Sequence, residues 1–179
     1  MAGPGRGDGD DKFLGEPAAP PTEALRIRPA ELDFMDKVAP LIPRTPRAVK
    51  RFVNIYRLYK AALSTPGLSS FLGSPEHPGN FRAVQVLLAL VIGIPDFAKA
   101  VVEILDTLEE SSPKTLSDIP ALLRGPTDPT WQTTLNALQA FAVGDNDLAL
   151  DSLRQVSPLV TRYSLHHMVS ALPGDSTLG

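Results

Sequence analysis

The sequence predicts an all-α fold, an irregular bundle of about seven or eight helices. Three observations carry that expectation. Apolar residues recur at three- and four-residue spacing in one segment after another. Prolines at Pro46, Pro95, Pro129 and Pro158 stand where helices would begin, so a chain with 18 prolines can still be helical. No segment alternates apolar and polar residues between hairpin turns, and no internal repeat of fixed period is present.

Taken in order, residues 1–24 are rich in Gly, Pro, Ala and Asp and read as a disordered tail or linker with little apolar surface to bury. A helical domain over 25–172 follows, and 173–179 reads as a short mobile tail. The stretch from Pro29 to Ile42 places Leu32, Met35 and Val38 on one side, with Phe34 and Leu41 flanking and Pro40 bending the last turn. Thr45 caps the next helix, Pro46 opens it, and it ends near Leu63, before Pro66-Gly67. Asn80 caps a helix running through Leu87 to Ile92 and closed by Gly93. Pro95 opens the next, with Phe97, Val101, Ile104, Leu105 and Leu108 as its stripe. A short helix from Ser117 runs through Leu122 and Leu123 to Gly125. Asp128-Pro129 starts another, with Trp131, Leu135, Leu138 and Phe141 inward and Gly144 as its stop. Asp145 to Val156 forms an amphipathic helix, and Ser157-Pro158 opens a separate last one.

The segment 44–60 stands out. At about 100° per residue, Val49, Phe52, Val53, Ile55, Tyr56, Tyr59 and Leu63 share one side. Arg47, Lys50, Arg51, Asn54 and Arg57 share the other, interrupted by Leu58, and Lys60 sits near the apolar edge, where it can snorkel. No Asp or Glu lies between Asp36 and Glu76, a window that carries a formal +7. The flanking regions, 1–36 and 76–179, carry −4 and −6, so the net charge of −3 hides a basic patch on an acidic chain. Such a patch calls for an anionic partner or for dispersed solvation.

Several function classes are disfavoured. The absence of cysteine removes disulfides, thiol catalysis and thiolate metal sites. The longest apolar run, Val86 to Ile94, is about half of a membrane span, and the glycine-rich N-terminus has no apolar signal region. These features predict a soluble, cytoplasmic protein with no membrane contact. Neither a phosphate-binding Gly-x-x-x-x-Gly-Lys-Ser/Thr loop nor a Gly-x-Gly-x-x-Gly turn after a strand occurs. His166-His167 point about 100° apart on a helix and His77 is remote, so no metal site or triad assembles. Asp145, Asp147 and Asp151 lack the ligand spacing of a calcium loop and read as charges at a helix N-terminus. Trp131 reads as a core anchor and Glu109-Glu110-Ser111-Ser112 as a solvated helix end. The expectation is that the chain is not an enzyme by itself.

The run Thr45-Pro-Arg-Ala-Val-Lys-Arg-Phe-Val-Asn-Ile-Tyr-Arg-Leu58 resembles the helical motif in the C-terminal part of the KAP family of P-loop NTPases. There a Pro-Arg-x-x-Lys-Arg-x-x-Asn pattern follows the nucleotide-binding core in the lid region, and Leu32 to Leu41 is similar to the helix that leads into it. The resemblance covers 30–63, a lid-like helix pair, and leaves 64–172 as a helical extension. It implies that Arg47, in the place of a sensor arginine, and Lys50 and Arg51, one turn on, contact nucleotide phosphate or the core domain. Asn54 would order the lid packing. The P-loop, the magnesium-binding strand and the sheet are missing, so ATP would bind only with a P-loop core supplied elsewhere. Two other readings remain open: nucleic-acid binding through the basic helix 44–60, and docking of that helix on an acidic protein partner.

Overall fold

A computed structural model describes residues 22–74, 79–109, 114–123 and 128–169. The expectations for the tails at 1–21 and 173–179, for His77 and for Glu110-Ser111-Ser112 lie outside the described residues. The fold is all-α. Nine α-helices follow one another among the described residues: α1 (Thr22–Leu25), α2 (Pro29–Val38), α3 (Pro46–Ala61), α4 (Thr65–Leu72), α5 (Phe81–Gly93), α6 (Pro95–Thr107), α7 (Ile119–Leu122), α8 (Pro129–Phe141) and α9 (Leu150–Val169). Single 3₁₀ turns at Ala39–Leu41, Leu116–Asp118 and Gly144–Asn146 join α2 to its loop, lead into α7 and precede α9. Helix α1 begins inside the segment expected to be tail.

Helix α5 forms the axis. Its sequence is apolar almost all round, and eleven of its thirteen residues are buried. A helix of that kind has to be surrounded, and α2, α3, α6 and α9 all pack on it. Phe34 from α2 meets Phe81 and Phe141 edge-on, and Phe97 from α6 meets Trp131 from α8 at 5.0 Å. Trp131 is therefore the core anchor expected of it.

Local chemistry sets most helix starts. The Thr45 Oγ1 accepts the Ala48 N–H of α3 at 3.2 Å, and Asp128 Oδ1 accepts the N–H groups of Thr130 and Trp131 at 2.9 and 3.1 Å. Pro46, Pro95 and Pro129 each occupy the first helical position, where a missing N–H costs nothing. The same device makes α4, which the sequence reading did not contain. Pro66-Gly67, expected as a terminator, lies in the first turn, and Ser64 Oγ accepts the Gly67 N–H at 3.3 Å.

Three further details differ. Asn80 precedes α5 without capping it; its Nδ2 instead donates to Gln155 Oε1 of α9 at 3.4 Å. Gly93 ends α5 for a packing reason, because a Cβ there would stand 2.4 Å from the Leu41 carbonyl oxygen. Pro158 does not open a helix. It lies inside α9, where it removes the N–H that would bond the Arg154 carbonyl. The expected break at Ser157 gives way because α9 packs along both α5 and α6.

Candidate functional site

The first charged constellation that the fold assembles is buried and was not anticipated. Glu31 recurs with Phe34, Met35 and Val38 at the i, i+3, i+4, i+7 spacing of an inward stripe, so α2 turns its carboxylate into the core while Leu32, expected inward, is 54% exposed. Lys60 likewise falls between Tyr56 and Val53 around α3, and it is 0% exposed rather than snorkelled. Lys60 Nζ lies 2.8 and 2.9 Å from the two Glu31 oxygens and donates to the Arg26 carbonyl at 2.6 Å. The Arg28 N–H donates to Glu31 Oε2 at 2.8 Å, and the Tyr56 hydroxyl donates to Oε1. Gln85 Nε2 of α5 donates to the Glu31 carbonyl at 3.1 Å. Each charge is thereby fully hydrogen-bonded, the condition under which a buried pair persists. Burial, then the hydrogen bond to Glu31 and its charge, raise the Tyr56 phenol far above its ordinary value. This cluster ties the loop before α2, α2 itself, α3 and, through the Glu31 carbonyl, α5 together and fixes how α3 is rotated.

That rotation sets what α3 presents outward. Phe52, Ile55, Tyr56 and Tyr59 are buried with Lys60, and Tyr56 and Tyr59 pack on Phe71 of α4 at 6.0 and 5.4 Å. The sequence-derived site residues lie on the opposite side: Arg47 and Lys50 are exposed and Arg51 is half-buried. Arg57 and Asn54 are exposed beside them, and Leu58, at 56%, interrupts the basic face. Because Lys60 is consumed by Glu31, the basic surface is one charge smaller than the sequence window suggests. Arg47 lies in the first turn of α3, which carries no acidic residue. The positive end of the helix and a guanidinium thus share one place, which disfavours the bare helix and favours a bound anion.

A groove of about 520 Å³ adjoins this face. Leu32, Met35 and Pro40 form one wall and Val49, Phe52 and Val53 the other, with Asp36 and Arg44 at the rim. Val49, expected to be inward, is half exposed on the groove side. The chain passes between the two walls through the 3₁₀ segment Ala39–Leu41.

The aspartates do not act as one group. Asp147 accepts from the Thr115 hydroxyl, the Ser117 N–H and the Ser117 hydroxyl, each at 2.9 Å, pinning the loop before α7 to the loop before α9. Burial pushes its pKa up, but the Ser117 and Thr115 hydrogen bonds prevail and hold the carboxyl below its usual range. The Leu116 N–H to Leu148 carbonyl bond at 2.9 Å closes the same junction. Asp151 does lie in the first turn of α9, as expected. His166 and His167 fall within α9. Among the described residues no group of three His, Asp or Glu could hold a metal ion, and no helix is long and apolar enough to cross a membrane.

The class that the fold defines is therefore an all-α bundle whose basic helix α3 is pinned from within by a buried ion pair. Comparison with protein-family models, with curated proteins and with solved structures found no match.

Proposed function

We propose that the chain is a non-catalytic lid and helical module like that of KAP-type P-loop NTPases, contributing Arg47, with Lys50 and Arg51, to nucleotide phosphate or to a core domain supplied elsewhere. The observation that carries this reading is the placement of Arg47. It stands exposed in the first turn of a Thr45-capped helix with no acidic residue to offset it, where phosphate is the natural complement. The apolar groove beside it offers a surface on which a second domain can seat.

The test uses a fluorescent ATP analogue. The chain alone leaves the signal unchanged. Added to a P-loop core with which it co-purifies, it tightens nucleotide binding, and Arg47→Ala abolishes the gain by about tenfold, the cost of one charged phosphate contact. Nucleotide binding by the core that is indifferent to Arg47→Glu and Arg51→Glu, with the complex intact, would sink the proposal.

Leu58 in the middle of the basic face favours a second reading, docking on an acidic protein surface without nucleotide. There, charge reversal at Arg47 and Arg51 weakens association equally with and without ATP. Duplex DNA would reveal the nucleic-acid alternative as binding that falls steeply with salt.

A further inference from the structure

The outer faces of α3 and α6 carry matching rows of charge, and we infer that α3 of one copy docks antiparallel on α6 of a second copy. This occupant rests on the reading of α3 as a face for an acidic protein surface, names that surface, and needs neither nucleotide nor a core domain. On α3, Arg47, Lys50, Asn54 and Arg57 follow one another at intervals of three, four and three residues. On α6, Asp96, Lys99, Glu103 and Asp106 follow at the same intervals. At about 100° per residue, each row stays within about 80° of one helix face and is about 15 Å long. All eight residues are exposed.

The spacing reads the same in both directions, so the rows can pair either way, and charge decides between them. Run antiparallel, Arg57 meets Asp96, Lys50 meets Glu103 and Arg47 meets Asp106. Lys99, the cation of the acidic row, then meets Asn54, the neutral residue of the basic row. Run parallel, Lys50 is forced onto Lys99, and Glu103 faces Asn54. Like charges set directly opposite each other disfavour that direction.

The flanks of the rows agree with the antiparallel direction. In it, the side of α3 that leads to Val53 and Val49 lies beside the side of α6 that leads to Val102 and Pro95. Val49 and Val53 line the groove between α2 and α3. Val102 and Pro95 line a second apolar groove, of about 450 Å³, between α6 and α9. Beyond the first groove α2 carries exposed Asp33 and Asp36. Beyond the second, α9 follows its groove-lining Thr161 with exposed Arg162. The carboxylates beside the basic row thus lie on the side where the second copy brings a cation. A copy seated on α3 covers Arg47 and Lys50, so self-association and phosphate contact exclude each other.

Sedimentation velocity of the full chain, with no other protein present, tests the pairing. Exposed ion pairs are individually weak, so the chain is expected to sediment above monomer mass at about 0.1 mM in low salt and as a monomer in about 1 M salt. Lys50→Glu with Arg57→Glu, and separately Asp96→Lys with Glu103→Lys, are each expected to give monomers, since each sets like charge on like. Mixed in equal amounts, the two variants are expected to associate as the unaltered chain does, because each altered row then meets its complement. The chain has no cysteine of its own. On mild oxidation, Arg47→Cys chains are expected to form the mixed disulfide with Asp106→Cys chains at least about tenfold faster than with Asp96→Cys chains, as proximity in the antiparallel pair requires. A chain still monomeric at about 1 mM in low salt overturns self-association without touching docking on other acidic proteins. Charge-reversed variants that associate singly, or that stay monomeric when mixed, overturn the row pairing. A faster disulfide with Asp96→Cys overturns the antiparallel direction. Circular dichroism of each variant verifies that the bundle is intact.

Discussion

Helices α5 and α3 pack against each other, and they follow different rules. Helix α5 buries eleven of thirteen residues and leaves almost nothing for solvent to read. Helix α3 buries five of sixteen, one of them a lysine, and turns Arg47, Lys50, Asn54 and Arg57 outward. The first is held mainly by area, apolar surface on nearly every side being removed from water, with one specific polar contact, Gln85 on the Glu31 carbonyl. The second cannot rotate freely, because Lys60 must meet Glu31 and the arginines must not enter the core. Specific orientation therefore comes from charge, even though most of the stability comes from α5 and its neighbours. The contrast teaches where function can reside in a bundle of this kind, on the helix whose rotation is fixed and whose outer face carries the charge.

Breaking the fixed helix should have the largest effect. Lys60→Met leaves the Glu31 carboxylate buried without its cation, and stability measured by urea denaturation is expected to fall by about 3–5 kcal/mol. Replacing both partners, Glu31→Leu with Lys60→Met, is expected to recover most of that loss, since an apolar pair of similar volume often matches a buried ion pair. A double variant no more stable than Lys60→Met alone would show that the pair is not the source of the cost.

Truncating the area-held helix comes next. Leu88→Ala removes a fully buried side chain of α5, at an expected cost of about 3 kcal/mol from lost transfer free energy and the cavity left behind. Val49→Ala, half exposed on α3, should stay within about 0.5 kcal/mol.

Titration sharpens the same contrast at both ends of the pH scale. The Tyr56 phenol is raised in the folded chain. Its contribution is therefore present below the unfolded value of about 10 and is lost as pH rises beyond it, because only the unfolded phenol can ionise. Denaturation midpoints should fall above that pH, less steeply in Tyr56→Phe. Asp147 is shifted the other way, downward. Its contribution is present above the unfolded carboxylate value of about 4 and disappears as pH falls through the folded one. Asp147→Asn at neutral pH is expected to cost about 1–2 kcal/mol, since charge-assisted acceptance from Thr115 and Ser117 is weakened.

A smaller effect of opposite sign is expected at Pro158. It is exposed inside α9, so Pro158→Ala restores an N–H without removing packed surface and should add about 1 kcal/mol. The smallest effects belong to the outer face of α3. Arg47→Ala and Lys50→Ala should change the denaturation midpoint by less than about 0.5 kcal/mol equivalent, whatever they do to anion or partner binding.

Much of this was legible in the sequence. Thr45-Pro46 and Asp128-Pro129 announce their helices because a short polar side chain and a missing N–H solve the helix start within three residues. The all-round apolar run of α5 announces itself as core. The errors have two causes. Pro66 and Pro158 are identical as letters, yet one opens α4 under a Ser64 cap and the other lies within α9, where packing along α5 and α6 carries the helix past its lost hydrogen bond. The signal for the Glu31–Lys60 pair was present: two charges of opposite sign, each at an apolar-stripe position. That they meet depends on two helices 29 residues apart crossing at one place.

The sequence by itself determined the helical class, most helix starts and the existence of a basic face over 44–60, because these depend on spacing, capping and charge within a few residues. The tertiary structure decided which of those charges face outward. It drew Lys60 inward to Glu31 and turned Leu32 and Val49 outward to form the groove, and it set Arg47 at the rim of the bundle. The physical reason is that a buried charge is tolerated only beside a complete set of partners, and that set comes from the loop between α1 and α2, from α2 and from α3 together.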